Sequence, residues 1–303
     1  MTMRSAPFAV LVLMVSAAAP LRAQTTDEQR AARQAEARRA FEREMAAERP
    51  MAAVNSVWLE ELTWMEVRDA LRDGATTAII ATGGIEQNGP YLALGKHNYI
   101  LEGACEGIAR KLGNALCAPI VKLVPEGDIE EPSGHMRYPG TISVREETFQ
   151  AMLTDVAMSL AAHGFRNIVF IGDSGGNQRG MEAVAHALNA RWTDARAHFI
   201  AQYYQSYTDA FAYVRDELGV SEPSNEGIHD DIVITTQVMT RSLDAVRYAQ
   251  RLEAGNASIN GVSIADAHEA RMIGSAILRF RVNATVRAIE AAIAAPRAGA
   301  GGN

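Results

Sequence analysis

Thr77-Ala78-Ile79-Ile80-Ala81-Thr82-Gly83-Gly84-Ile85-Glu86 runs from an uncharged, mostly apolar stretch straight into a glycine pair and a carboxylate. Six such residues bounded by turn-forming ones have the length and composition of a strand buried on both faces. A strand of that kind needs helices over each face. Downstream, the pattern predicts a helix through Leu101 to Leu112 and a second strand from Leu116 to Val124. Ser143 and Glu146 have capping-box spacing, and Phe149, Met152, Leu153, Val156 and Leu160 recur at helical intervals until Gly164. Asn167 to Ile171 follows as a strand, Gly172 to Gly176 as a turn, Met181 to Trp192 as a helix and His198 to Gln202 as a further strand. This alternation predicts an α/β domain, a three-layer αβα sandwich with a mainly parallel sheet. Sites in such sheets form at the carboxyl ends of strands, which directs attention to the loops after Thr82, Val124 and Ile171.

Composition agrees with a globular chain: of 303 residues, 48% are apolar and 21% charged. The net charge of −7 argues against a nucleic-acid partner, which calls for a basic face. Arg4, the apolar run Ala6 to Pro20 and Leu21-Arg22-Ala23 before Gln24 read as a signal peptide over 1–23, too short to span a bilayer at roughly 20 residues. The expected chain is exported, periplasmic or secreted, with no membrane span once that segment is removed. Residues 24–50 hold six acidic and six basic residues with little apolar content, and read as a charged helical arm or linker ended by Pro50. The α/β domain is expected over 51–296, with 297–303 a flexible tail. Cys105 and Cys117 are the only thiols; an oxidising compartment permits a bridge, and two buried free cysteines are the alternative.

Three stretches concentrate polar chemistry at the expected strand ends. They are Gly83 to Asn98, His135-Met136-Arg137-Tyr138-Pro139-Gly140-Thr141-Ile142-Ser143, and Gly164 to Asn177. Together and in this order, within about Val57 to Ala294, they resemble the creatininase family of metal-dependent amidohydrolases. The resemblance implies a mainly parallel αβα fold, a homo-oligomer, and opening of amide-type C–N bonds in a small-molecule substrate at a two-metal centre. The family's first motif is Glu-any-His-Gly-Pro followed by Leu-Gly-Thr-Asp; Glu86 matches the Glu, Asn88 stands at the His and His97 at the Asp. In the strand-end motif Asn-Gly-His-Gly-Gly-Asn, Ser174 takes the His position while Gly175, Gly176 and Asn177 match. In the last motif His229 matches and Ile234 replaces the Glu.

Asn88, Ser174 and Ile234 cannot supply the carboxylates and imidazoles that hold two ions about 3.5–4 Å apart, so the standard dinuclear site is excluded. Glu86, His97, Asp173 and His229 remain as metal ligands, with Asp230 or Asp231 nearby, and three such donors suffice for one zinc or manganese ion with an open position. No organic cofactor is expected. The leading expectation is a metal-dependent hydrolase of a small amide, lactam or other C–N bond. In it Asp173 or His229 moves a proton, and Asn88, His135 and Asn177 contact substrate.

Two alternatives stand beside it. Gly172-Asp173-Ser174-Gly175-Gly176 has the nucleophile-elbow form, so Ser174 with His229 or His97 as base would make a metal-free serine hydrolase. A catalytically inactive small-molecule binding protein is the other. Glu126, Asp128, Glu130 and Glu131 read as a solvated acidic loop, and His163, His186, His198 and His268 receive no chemistry. Tyr203, Tyr204, Tyr207 and Tyr213 are placed beside the site or at a subunit contact.

Overall fold

The computed structural model describes residues 27–297. The expected signal peptide and the tail from 298 onward lie outside the described residues. The chain divides into two units, one ending at Pro50 and one beginning at Met51. The first contains α1 (Asp27–Ala46), which buries no residue. Charge pairs one turn apart, such as Arg38 Nε to Glu42 Oε1 at 2.9 Å, support it in place of an apolar stripe.

The second unit opens with α2 (Trp64–Arg72), started by a capping box between Thr63 and Glu66. Then come β1 (Thr77–Thr82), α3 (Lys96–Leu112), β2 (Ala115–Cys117), α4 (Glu146–Ala162), β3 (Asn167–Gly172), α5 (Gln178–Asn189) and β4 (Arg196–Phe199). The chain continues with α6 (Ala201–Glu217), α7 (Ile232–Arg241), α8 (Tyr248–Glu253), the short hairpin β5 (Ser258–Ile259) and β6 (Val262–Ser263), and α9 (Ala267–Ala294). The sheet has the order β2-β1-β3-β4, and each neighbouring pair is parallel. No helix of the described residues is long and apolar enough to cross a membrane.

Two-residue periodicity makes the layers. Ala78, Ile80, Ile168 and Phe170 point to one face, where α4 and α5 cover them with Phe149, Leu153, Val184 and Leu188. Ile79, Ala81, Val169 and Ile171 point to the other, under Leu101, Ile108, Tyr203 and Val286 of α3, α6 and α9. A third cluster, built on Ile232, Val233, Val238 and Ile277, packs α7 onto that second layer. The three-layer α/β sandwich is therefore the architecture observed.

Three local expectations are corrected. The strand expected over Leu116 to Val124 ends at Cys117, because Pro119 has no N–H to continue the ladder. Beyond it the chain meets the sheet only at single bridges, among them Val121 against Thr82. The expected strand His198 to Gln202 is shorter and earlier, since α6 begins at Ala201. Ser143 does not cap α4: its hydroxyl accepts from Glu126 N at 2.9 Å and donates to Gly127 O at 2.7 Å, leaving Arg145 at the cap position. Cys105 and Cys117 form a disulfide with Cα atoms 6.2 Å apart, tying α3 to β2.

The strand order decides where a site can form. From β1 the chain crosses to β2 on one side, then returns to place β3 on the other. The carboxyl ends of β1 and β3 thus border the switch point, where the connections diverge and leave a crevice.

Candidate active site

Glu86 leaves β1 and Asp173 leaves β3, so both carboxylates stand at that crevice. The glycines between β1 and Glu86 let polar groups approach. A Cβ on Gly83 would lie 2.0 Å from Asn98 Oδ1, and one on Gly84 would lie 2.2 Å from Glu126 Oε1. Asn98 then clamps the loop through Nδ2 to Gly84 O at 3.0 Å. Gly176 does the same service after β3, where a Cβ would sit 2.5 Å from Pro125 O.

His97, in the first turn of α3, bridges the two carboxylates. Its Nε2 lies 2.9 Å from Glu86 Oε1 and its Nδ1 lies 2.8 Å from Asp173 Oδ2. A ring facing an ionised carboxylate at each nitrogen donates from both, so His97 is an imidazolium. Burial alone would lower its pKa, but the hydrogen bonds to Asp173 and Glu86 raise it. Behind it, Asp173 Oδ1 accepts from Arg281 Nη2 at 2.8 Å and from Tyr203 Oη at 2.9 Å. Burial pushes this carboxyl up, yet the Arg281 charge and the His97 contact hold it well below the usual range. Both ring nitrogens of His97 are thus directed at carboxylates, and Asp173 is bonded by a guanidinium, a phenol and an imidazole ring. Both were expected as ligands and Asp173 also as a proton carrier; in the structure both border the cavity, bonded to each other and to Glu86, Tyr203 and Arg281.

Glu86 is 2% exposed and gathers the remaining groups. His135 Nε2 lies 3.4 Å from its Oε2, and His229 Nδ1 lies 3.5 Å from its Oε1. The two imidazoles stack with centroids 4.7 Å apart. Lys96, adjacent to His97 in sequence, is wholly buried and places Nζ 3.3 Å from Glu86 Oε1 and 3.3 Å from His229 Nε2. Desolvation opposes the charge on Glu86, but the His97 hydrogen bond and the His97 and Lys96 charges hold its pKa far below the ordinary value. Glu126 shows the opposite behaviour: burial and the neighbouring Glu86 charge push it up to about 9, leaving a neutral carboxylic acid at pH 7. His229 falls to about 4 through burial and the Lys96 charge, so its ring is neutral.

These groups line a cavity of about 420 Å³, with Glu86, Lys96, Glu126, His135, Ser174 and His229 in its wall. Asn88 and Asn177, expected to contact substrate, do not line it. Asn88 Nδ2 donates to Glu86 O and Ala93 O, and Asn177 Nδ2 donates to Thr82 O and Gly83 O, so both amides brace backbone. Ser174 lines the cavity, but among the described residues no hydrogen bond joins its Oγ to an imidazole. Asp231 caps α7 through Ile234 N at 2.8 Å, and Asp230 accepts from Asp231 N at 2.8 Å; neither faces the cavity.

Glu126 corrects the reading of a solvated loop: it turns inward while Asp128, Glu130 and Glu131 stay exposed. The tyrosines divide similarly. Tyr204 and Tyr207 line the cavity, Tyr207 also bonding Asp231, while Tyr203 bonds Asp173 from behind and Tyr213 stacks on Phe280. Sequence reasoning missed Lys96 and Arg281. Lys96 had one signal, its place beside His97 in a motif otherwise read for ligands; Arg281, inside a 28-residue helix, had none.

Glu86, His135 and His229 can each offer one ligand atom, all within 4.8 Å of one another. Three N and O donors are the number that one divalent ion with an open position needs, and Lys96 Nζ stands among them, 3.3 Å from Glu86 Oε1 and from His229 Nε2.

A family model described as Creatininase, creatinine amidohydrolase, matches residues 60–280. Creatinine amidohydrolase of Pseudomonas putida is 27% identical over 116 residues, 38% of this chain and 44% of that protein. The 3-dehydro-scyllo-inosose hydrolase of Thermotoga maritima is 27% identical over 119 residues, 39% of this chain and 36% of that protein. The matched stretches span less than half of either relative. A solved mutant creatininase of Zn-Zn type superposes with a TM-score of 0.59 at 20% identity, covering 78% of this chain and 98% of that one, which shows the shared fold.

Proposed function

The chain belongs to the creatininase family, and on that premise we propose that the Glu86 cavity hydrolyses a small amide, lactam or other C–N bond. The observation that carries this is one cavity whose wall brings the carboxyls of Glu86 and Glu126 together with His135 and His229, in surroundings that lower the pKa of the first carboxyl and raise that of the second. Environments that push two titratable groups apart assign an acid and a base. A cation at Glu86 and His229, whether the Lys96 ammonium that stands 3.3 Å from each or an ion that displaced it, would polarise a carbonyl.

The protein's own groups do the rest. When water adds to the carbonyl carbon and the C–N bond breaks, the departing nitrogen takes a proton from Glu126 at the cavity wall, and the proton released by the attacking water restores Glu126 to its acid form. His97, fixed by Asp173 and Arg281, keeps Glu86 ionised and oriented. The cavity volume suits a small molecule rather than a polymer. Screening small amides, lactams and ureas with added zinc or manganese tests the reading. Turnover by the wild type and its loss in Glu86→Gln are expected. Failure across the panel, with ligand-induced stabilisation retained, would leave a binding protein instead.

We also propose that the chain is exported and cleaved after Ala23. The Cys105 to Cys117 disulfide supports this, since such bonds persist in oxidising compartments. N-terminal sequencing of the exported protein should begin at Gln24.

A further inference from the structure

The donor set at Glu86 already faces a cation, and it belongs to the chain. Lys96 Nζ stands 3.3 Å from Glu86 Oε1, 3.3 Å from His229 Nε2 and 3.5 Å from His229 O, with its side chain fully buried. The hydrogen-bond pattern fixes what those contacts mean. His229 Nδ1 faces Gln87 O at 3.2 Å and must donate to it, which leaves the lone pair on Nε2, the atom that faces the ammonium. Two of the three residues that would coordinate an ion therefore have an atom directed at Lys96, while His229 Nδ1 stands 3.5 Å from Glu86 Oε1.

We propose that Lys96 is the resident cation of this site: its ammonium takes the place on Glu86 and His229 that a divalent ion would take, and the two exclude each other. An ion bound to these donors sits at about 2.0–2.2 Å from each, which brings it against Nζ with like charge in a buried setting. The fixed charges point the same way. Two carboxylates, Glu86 and Asp173, already meet two cations in Lys96 and Arg281. Adding a divalent ion while Lys96 stays in place would leave a large uncompensated positive charge. A neutral side chain at 96 would open the place without removing any donor.

This inference rests on the proposed function only for the location of the ion's donors. Calorimetric titration of zinc and manganese chloride into the full, untagged protein tests it without a substrate. Wild type should bind weakly, and Lys96→Met should bind one equivalent at least about tenfold tighter, a factor worth about 1.4 kcal/mol. Adding Glu86→Gln to Lys96→Met should abolish that gain. Equal affinity in wild type and Lys96→Met, or no gain in the variant, would overturn the proposal. Should Lys96→Met fail to fold, Lys96→Gln replaces it. Wild type alone also decides the matter, because tight one-equivalent binding that leaves the ¹³Cε resonance of Lys96 unmoved would overturn exclusion. If no form turns over an amide yet the variant gains the ion, the hydrolase reading fails and this one stands.

Discussion

The two sides of the crevice are built from similar groups and do opposite things. At the end of β3, Asp173 is surrounded by His97, Tyr203 and Arg281, each making a hydrogen bond to it at 2.8–2.9 Å. At the end of β1, Glu86 meets His135 and His229 at 3.4 and 3.5 Å, Lys96 at 3.3 Å, and a protonated neighbour in Glu126. Both sides border the cavity and His97 bonds both carboxylates; on the closed side Arg281 and Tyr203 take the other oxygen of Asp173 at 2.8 and 2.9 Å, whereas on the open side the remaining contacts of Glu86 are 3.3 Å or longer. Chemistry needs groups whose bonding can change during a reaction, and only the open side has them. The lesson is that a carboxylate at a strand end is identified by its partners, not by its position.

The largest effect should come from breaking the closed side. Arg281→Met leaves Asp173 buried beside a single cation, and chemical unfolding should show a loss of about 3–5 kcal/mol. A loss below about 1 kcal/mol would mean the closed side is not structural. Glu126→Gln acts on the open side. Stability at neutral pH should be retained, while turnover in the amide screen should fall by about 10²–10⁴.

The same substitution gives a pH test. Glu126 has a folded pKa near 9 against an ordinary 4.5, so its favourable contribution is complete below pH 4.5 and is lost as pH rises toward 9. Wild type should therefore lose stability relative to Glu126→Gln across that window, by at most about 1.4 kcal/mol per pH unit. A constant difference between the two curves would show that Glu126 ionises normally. Ser174→Ala should change turnover least, because among the described residues no imidazole hydrogen-bonds its hydroxyl. A large loss there would move the chemistry from Glu86 to the strand end opposite.

The sequence carried the layers well because they depend on local runs. Thr77 to Thr82 and Asn167 to Ile171 are apolar in both strand phases, which only burial on two faces accommodates. It carried the site less well because roles depend on contacts between distant segments. Glu86, His97, Asp173 and His229 were recognisable as neighbours at the strand ends, and they are. That His97 bridges two carboxylates, one of them also held by Arg281, depends on α9 bringing Arg281 back from 108 residues beyond Asp173. Glu126 looked solvated among Asp128, Glu130 and Glu131 because nothing local distinguishes it; only the glycine at 84 makes room for it. Lys96 was passed over because the motif directs attention to ligands, and an ammonium is not one.

The disulfide reaches further than its distance from the cavity suggests. Cys105 lies on α3, the helix that carries Lys96 and His97 in its first turn, and Cys117 fixes it to β2 across 12 residues of sequence. A covalent loop of about that length restricts the unfolded chain by around 3 kcal/mol on the entropic account. The helix presenting two of the site's three cations is thus fastened by a bond whose existence depends on where the protein was made. Material produced in a reducing cytoplasm would be the same sequence with a looser grip on its own charges, so preparations with different thiol histories should differ in ion uptake as well as in stability.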